Sequence, residues 1–378
     1  MPTPPLPDSL ALEALEALKK HGRIYLAASA LDLNRNTFLN RVKVAEERGL
    51  QLSDGARSIV ATANLNGVEA KGGWIHNYDS DGKKIGATRW AAPDILTDES
   101  ALDRIRAAFE GMAPAPVVPA PTHKAGDLVT VYPIADAHIG MMAWSRETGE
   151  DYNTKKAVNR LQGWMGDCIA SSPPSETAII LDVGDLTHAD DYTSQTPRSK
   201  HVLETDTRHF KTLDMTIAAL NTCIEMTLRK HKRVIVRILP GNHDMNAYLA
   251  VMFALAERWR ENERVEVQKV PGEFFVHQFG KVLIAAHHGD KAKAERMVGF
   301  VADEYAKMWG ETKHRFLFTG HLHHHKSADI HGMRWEQLRA LTARDAYAVS
   351  HAYTAKSQLQ AITYHKSKGE VGRVSVGL

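Results

Sequence analysis

Five short apolar runs, each stopping in a polar cluster, constrain this chain more than any other feature. The runs are "LVTVYPIAD", "TAIILDVGD", "RVIVRILPGNHD", "KVLIAAHHGD" and "HRFLFTGHLH". Runs this brief and this rich in Val, Ile and Leu read as buried strands. Two segments of helical pattern, "YNTKKAVNRLQGWMGDCIA" and "TRHFKTLDMTIAALNTCIEMTLRKH", separate the first three runs. Alternating strands and helices predict an α/β fold with mixed or parallel sheets. The segment after Ser327 is expected to close the domain with a helix and final strands. No internal repeat is visible.

The clusters at the run ends are "DAH" (Asp136–His138), "GD" (Gly184, Asp185), "GNHD" (Gly241–Asp244), "HHG" (His287–Gly289) and "GHLH" (Gly320–His323). Strand ends of an open α/β sheet are where ligand sites assemble. Carboxylates and imidazoles without thiolates suit Mn, Fe, Zn or Ni. One carboxylate has two oxygens and can bridge a pair of cations. Neighbouring glycines permit sharp turns and close backbone approach. In extended chain, residues i and i+2 point the same way, so Asp136 and His138 are expected to converge, as are His321 and His323. By the same alternation His324 points away. His325 returns to the right side about 6.8 Å further on.

The order D-x-H, G-D, G-N-H-D, H-G, G-H-x-H resembles the calcineurin-like metallophosphoesterase superfamily, over about residues 128–325. The resemblance implies a four-layer α/β/β/α sandwich and a dinuclear metal site. It implies Asp136, His138 and His323 as ligands of the first metal, and Asp185 as the bridging carboxylate. Asn242, His288 and His321 would hold the second metal, with His288 taken over His287 because it directly precedes the glycine. His243 would be the catalytic histidine beside the phosphoryl group, with Asp244 orienting it. Two divalent ions are implied, manganese first, with iron, zinc or nickel also suited. They would hold a bridging hydroxide that attacks phosphorus in line. His243 would stabilise the developing charge or protonate the leaving alkoxide.

The continuation "GDLTHADD" lacks the V-D-R-G stretch, and so the phosphate-binding arginine, of the related Ser/Thr protein phosphatases. "GNHD" and "GHLH" look more like the nuclease and phosphodiesterase branch, and "DAHIGMMAWSRETGEDYN" resembles its phage and prophage members. A DNA phosphodiesterase or nuclease is therefore expected. The alternatives are a broad phosphomonoesterase acting on nucleotides or DNA ends, and a DNA-binding regulator with a vestigial phosphoesterase domain. His188, Arg208 and His325 are candidate substrate contacts. Trp144 and Tyr152 can stack on a base, although packing is the default for each.

"GMAPAPVVPAPTHKAGD", Gly111–Asp127, is rich in proline and alanine and reads as a linker. It sets residues 1–110 apart from a phosphoesterase domain over 128–378. In the first region Leu10, Leu12, Leu15 and Leu18 lie near helical spacing, with Ser9 as cap and Gly22 as terminator. A short helix through Leu31, a turn at Asp32–Asn34 and a second helix from about Asn36 to Arg48 follow. Their expected buried side is Ala27, Leu31, Phe38, Val42 and Ala45. The pattern resembles a helix-turn-helix of the bacterial regulator and recombinase type. It would place Arg35, Asn36, Thr37, Asn40, Arg41 and Lys43 against DNA, with Asp32 standing where glycine is common. Aromatic pieces around "DSDGKK" predict a β-hairpin within 57–92, its Trp74 and Trp90 packing.

Composition adds bounds. The 378 residues suit two or three domains, and a net charge of +2 advertises no global attraction to nucleic acid. Two cysteines, Cys168 and Cys223, make no disulfide framework. "MPTPPLPDSL" has neither a basic nor an apolar leader region, and no run approaches the roughly 20 apolar residues that span a bilayer. A cytoplasmic protein is expected, with DNA or a nucleotide phosphoester as partner, no membrane, and homo-oligomerisation left open.

Overall fold

The computed structural model describes residues 6–21, 24–50, 72–78, 84–91, 114–122 and 125–377. The chain divides into two compact units, Met1–Asp103 and Arg104–Leu378.

In the first unit, helices α1 (Asp8–His21), α2 (Ile24–Ala30) and α3 (Arg35–Glu47) pack around small side chains. Ala11, Ala14, Ala17, Ala27, Ala28 and Ala45 are buried, and Phe38 fills the centre. The expected leucine stripe is displaced: Leu12, Leu15 and Leu18 flank the interface half-buried, and Leu31 packs at its edge. Alanines let helix backbones approach closely, and the leucines close the rim. Ser9 lies inside α1, which starts at Asp8, and Gly22 falls outside the described residues. The Asn34 side chain caps α3 by accepting the Thr37 N–H at 2.9 Å. Asp32 adopts φ +52°, the left-handed conformation for which glycine is the usual choice. The backbone of β1 (Gly72–Tyr78) pairs antiparallel with β2 (Lys84–Ala91), the expected hairpin, while residues 79–83 lie outside the description.

The second unit is a mixed α/β body with two sheets. The first comprises β3 (Leu128–Ile134), β4 (Thr177–Asp182), β5 (Arg233–Ile238), β6 (Val265–Val267), β12 (Gln358–His365) and β13 (Gly369–Gly377), in the order β13-β12-β3-β4-β5-β6. Strands β3 to β6 run parallel, and β12 and β13 are added antiparallel. The second comprises β7 (Phe275–Phe279), β8 (Val282–Ala286), β9 (His314–Thr319), β10 (Lys326–Ile330) and β11 (Met333–Gln337), in the order β10-β11-β9-β8-β7. Here β8, β9 and β11 are parallel. All five apolar runs of the sequence are strands.

Alternation along β8 shows how the layers form. Val282, Ile284 and Ala286 join an apolar cluster with Val131, Ile179, Leu181 and Ile362 of the other sheet. Leu283 and Ala285 point the other way, onto Met297, Val298 and Val301 of helix α8 (Ala294–Glu304). Ahead of the second sheet, the short helix α4 (Ser145–Thr148) precedes α5 (Thr154–Ser171), α6 (His209–Lys230) and α7 (Ala247–Arg258), the last three packing on the six-stranded sheet. In α5 the buried positions Ala157, Leu161, Met165 and Cys168 recur at helical spacing, and the Asn153 side chain caps its start. Helices α9 (Ala306–Glu311) and α10 (Ala346–Ser350) complete the order. Part of the proline-rich segment is tied down in this unit: Ala115 N–H donates to Arg258 O at 3.0 Å, and the Arg264 guanidinium donates to Val118 O at 2.5 Å. Cys168 and Cys223 are free and buried. Among the described residues no helix is long and apolar enough to cross a membrane.

Ile284 is fully buried between the sheets. Replacing it by alanine is expected to cost about 2–5 kcal/mol, and by valine about 0.5–1.5 kcal/mol. Urea midpoints of the variants check this, a loss under about 0.5 kcal/mol for alanine contradicting the inter-sheet core.

Candidate metal centre

The polar clusters converge where β3, β4, β5, β8 and β9 end. Backbone pairing continues past the strand ends: Val183 N–H donates to Ile134 O at 2.8 Å, Asp136 N–H to Gly184 O at 3.2 Å, and His138 N–H to Asp185 O at 3.0 Å. Five residues there take left-handed backbone angles without being glycine. They are Asp136 (φ +49°), His138 (+43°), Asp185 (+56°), His321 (+69°) and His323 (+57°). Each such residue costs about 1–2 kcal/mol and persists where its surroundings over-determine it. This corrects the expectation from alternation. Asp136 with His138, and His321 with His323, are not held together by extended chain but by tight left-handed turns.

Three groups of metal-competent side chains result: Asp136, His138 and His323; Asp185, His288 and His321; and His138, His188 and His243. His323 Nε2 lies 3.3 Å from Asp136 Oδ1 and 3.2 Å from His138 Nε2. His288 Nε2 lies 3.2 Å from Asp185 Oδ2 and 3.1 Å from Asn242 Oδ1. Asp185 Oδ2 is also 3.8 Å from His138 Nε2, so this carboxylate stands between the first two groups. The His288 Nδ1–H donates to Val183 O at 2.9 Å, which aims Nε2 at the carboxylate. His243 Nδ1–H donates to His188 O at 2.9 Å, and its backbone N–H to Asp185 Oδ1 at 2.7 Å. The His188 and His138 Nδ1 atoms are 3.2 Å apart.

Burial and neighbouring charge split the protonation states. Burial alone would lower His288, but Asp185 and then Asp136 raise it to about 10. His323 is raised as well, Asp136 outweighing burial. His188, buried beside His243, falls to about 3. His138 falls well below its usual value for the same two reasons, and burial with His288 lowers His321. Burial opposes ionisation of Asp185, yet His288 and His243 hold it well below the carboxylate range. Asp244 rises to about 7 through burial and the Asp185 charge.

Carboxylate oxygens and imidazole nitrogens at these separations fit divalent cations of the Mn, Zn or Fe type. The backbone makes room for them. A Cβ at Gly320 would stand 2.5 Å from Asp136 Oδ2, and one at Gly241 would overlap Asp185 Oδ1 and its N–H. Glycine is required at both places by the close approach of a candidate ligand.

Other expectations are corrected. The Asp244 carboxylate does not orient the His243 ring. It accepts the N–H groups of Gly241 at 2.8 Å, Thr187 at 3.1 Å and Asp185 at 3.3 Å, and so joins the β4 and β5 loops. His325 Nε2 lies 3.3 Å from Glu336 Oε1, and that glutamate pairs with Arg373, so His325 is engaged within the protein. Arg208 is exposed at the N-cap of α6, while His188 belongs to the cluster. His324 is exposed, its Nδ1–H donating to Leu322 O at 2.8 Å. His287 packs against Phe274 and its Nδ1 accepts the Gly289 N–H. Tyr152 is buried, but Trp144 is half exposed rather than packed. Of the six residues assigned to DNA, five are exposed, whereas Arg41 turns back to Glu13 of α1 at 3.4 Å.

Sequence reasoning missed Asp182. It is fully buried, burial and Asp244 push it well above the carboxylate range, and its Oδ2 has no hydrogen-bond partner among the described residues. A lone carboxylate inside the apolar run "TAIILD" was the signal. It also missed Gln337, whose Nε2–H donates to His324 O at 2.7 Å and pins the His321–His323 loop to β11.

No protein-family model matches this chain, and no curated protein matches it. Solved structures similar to it include a novel archaeal phosphodiesterase, at 11% identity and TM-score 0.33, covering 66% of this chain and 99% of that one. A predicted phosphoesterase from Streptococcus pneumoniae is similar at 10% identity and TM-score 0.27, over 66% and 98% of the two chains. Vps29 from Entamoeba histolytica, complexed with zinc, is similar at 13% identity and TM-score 0.26, over 66% and 98%. Likenesses this remote carry no functional assignment, so the reading of the site rests on its own geometry.

Two outcomes test the centre. Gly241→Ala is expected to weaken Mn binding at least about tenfold, as ligand-support changes do, while Gly163→Ala, with nothing within 4 Å of its Cβ, leaves it unchanged. Calorimetric titration reads both, and equal affinities would contradict the assignment. With His288 raised to about 10 by Asp185 and Asp136, its ring is expected to carry the extra proton at pH 8. A ligand must give that proton up, so cation binding at pH 8 is expected to release protons and to tighten as pH rises through the range below 10. A pH-indicator dye checks the release, and His288→Ala should reduce it.

Proposed function

We propose that this protein is a divalent-cation-dependent phosphoesterase that hydrolyses phosphodiester bonds, with DNA as the substrate. The observation that carries the reading is the convergence of Asp136, His138, His323, Asp185, His288 and His321 in adjoining groups that share one site. In this reading the first three would hold one cation, and Asn242, His288 and His321 would hold the second. Asp185, near a histidine of each set, would be shared between them. Manganese is the cation named first by this donor set, with iron, zinc and nickel as alternatives. Bound cations would polarise phosphoryl oxygens and lower the pKa of water.

The chain's own residues supply the rest. His243 is fixed through Nδ1 by the His188 carbonyl, which leaves Nε2 for the phosphoryl group. In its doubly protonated form it would donate Nε2–H to the developing charge or pass that proton to the departing alkoxide oxygen, leaving the neutral Nδ1–H ring. His188, beside His138 and His243, is read as a contact for a phosphate oxygen. Asp244 keeps the loops bearing Asp185 and Asn242 in register. The two sheets with helices on their outer faces are read as a four-layer α/β/β/α sandwich. The three N-terminal helices are read as a helix-turn-helix whose exposed residues Arg35, Asn36, Thr37, Asn40 and Lys43 meet DNA phosphates and bases.

A substrate panel with Mn tests this: p-nitrophenyl phosphate, its bis-ester, and single- and double-stranded DNA. Diester and DNA cleavage are expected, with Asp185→Asn and His288→Ala inactive on every substrate. His243→Ala should lose about 10²- to 10⁴-fold in kcat while binding Mn normally. Monoester activity alone would sink the phosphodiesterase reading in favour of a phosphomonoesterase.

A further inference from the structure

The chain next to the candidate metal centre exposes aromatic rings that the catalytic reading does not use. Thr342 N–H donates to the carbonyl of Asp136 at 3.1 Å, and Leu341 N–H to that of Ala135 at 2.9 Å, so residues 341–342 run against the first ligand. Asp345 follows. Its Oδ1 caps α10 by accepting the Ala348 N–H at 2.7 Å. That helix carries Tyr347, which is 59% exposed. The His351 ring lies 4.1 Å from Tyr347, centroid to centroid, tilted by 32°, and Tyr353, 55% exposed, lies 5.9 Å from His351 at 31°. The three rings form a row.

The row has a neighbour from the other side of the loop cluster. Helix α10 packs on α4, and Arg344 Nη2 donates to Thr148 O at 3.2 Å. Trp144, the residue before α4 and six after His138, is 50% exposed, with the Arg146 guanidinium 5.3 Å above its ring. Exposed aromatic residues scattered singly need no explanation. Four rings on two touching segments, both anchored at Asp136–His138 and both carrying arginine, do.

We propose that Trp144, Tyr347 and Tyr353 form a base-stacking surface that leads an unpaired nucleic-acid strand to the metal centre. In a duplex the base faces are covered by their neighbours, so rings presented this way can engage only unpaired bases. Arg146, over the Trp144 ring, brings positive charge for a phosphate alongside, while Arg344 ties the two segments together through the carbonyls of Thr148 and Tyr353. The surface rests on the reading of the site as a phosphodiesterase, and it narrows the substrate to single strands, overhangs or frayed ends.

The experiment uses the full chain and two measurements. Binding of fluorescein-labelled oligothymidylate, followed by anisotropy in chelator so that nothing is cleaved, is expected to weaken about 5-fold or more for each ring replaced in Trp144→Ala, Tyr347→Ala and Tyr353→Ala. Tyr347→Phe should bind like the wild type, and binding of a blunt duplex of equal length, which the N-terminal helices are read to contact, should not change in the three alanine variants. In Mn, the ratio of kcat/KM for the oligonucleotide to that for bis-p-nitrophenyl phosphate should fall in the alanine variants by the same factor. Unchanged binding and an unchanged ratio, or an equal loss of duplex binding, would overturn the stacking surface. A wild type that binds the strand but cleaves neither substrate would instead overturn the phosphodiesterase reading and leave the surface standing.

Discussion

Asp185 is the residue on which the site hangs. Its Oδ1 accepts the His243 N–H at 2.7 Å, and its Oδ2 faces His288 at 3.2 Å and His138 at 3.8 Å. Its own N–H donates to Asp244, and its carbonyl accepts the His138 N–H. One left-handed residue thus touches chain from the ends of β3, β5 and β8 as well as its own strand. A buried carboxylate is costly unless charge and hydrogen bonds compensate it. The surrounding histidines and amides do so here, and they also hold the backbone in a conformation it would otherwise leave.

The same arrangement explains why so many histidines sit together without behaving alike. Asp185 and Asp136 outweigh burial at His288, raised to about 10, and Asp136 does so at His323, which is raised as well. At His138 and His188 burial and the His243 charge outweigh Asp185, and both are lowered. A cation bound beside His288 would displace a proton from it, so loading such a site would exchange one kind of positive charge for another.

Much of this was legible in the chain. The five apolar runs are the five strands that end at the site, and the hairpin stands where local chemistry puts it. What was not legible depended on partners distant in sequence. Asp244 is adjacent to His243 along the chain, yet its carboxylate answers amides of the β4 loop that only the fold brings near. His325 was placed by counting extended residues, but left-handed turns at His321 and His323 redirect the chain and deliver it to Glu336. In α1 leucine content pointed to the core, whereas close helix approach selected the alanines.

The candidate ligands are divided between the sheets. Asp136, His138, Asp185 and Asn242 follow strands of the six-stranded sheet, and His288, His321 and His323 follow strands of the five-stranded one. Between them lies a packed apolar layer, the cluster that includes Ile179 and Ile284. A cation held from both sides would act as a clasp across a sandwich whose filling is hydrocarbon. The affinity of the clasp and the spacing of the slices would then be one quantity seen from two ends. A methyl group lost deep in the filling would be read at the rim as a looser grip on the ion.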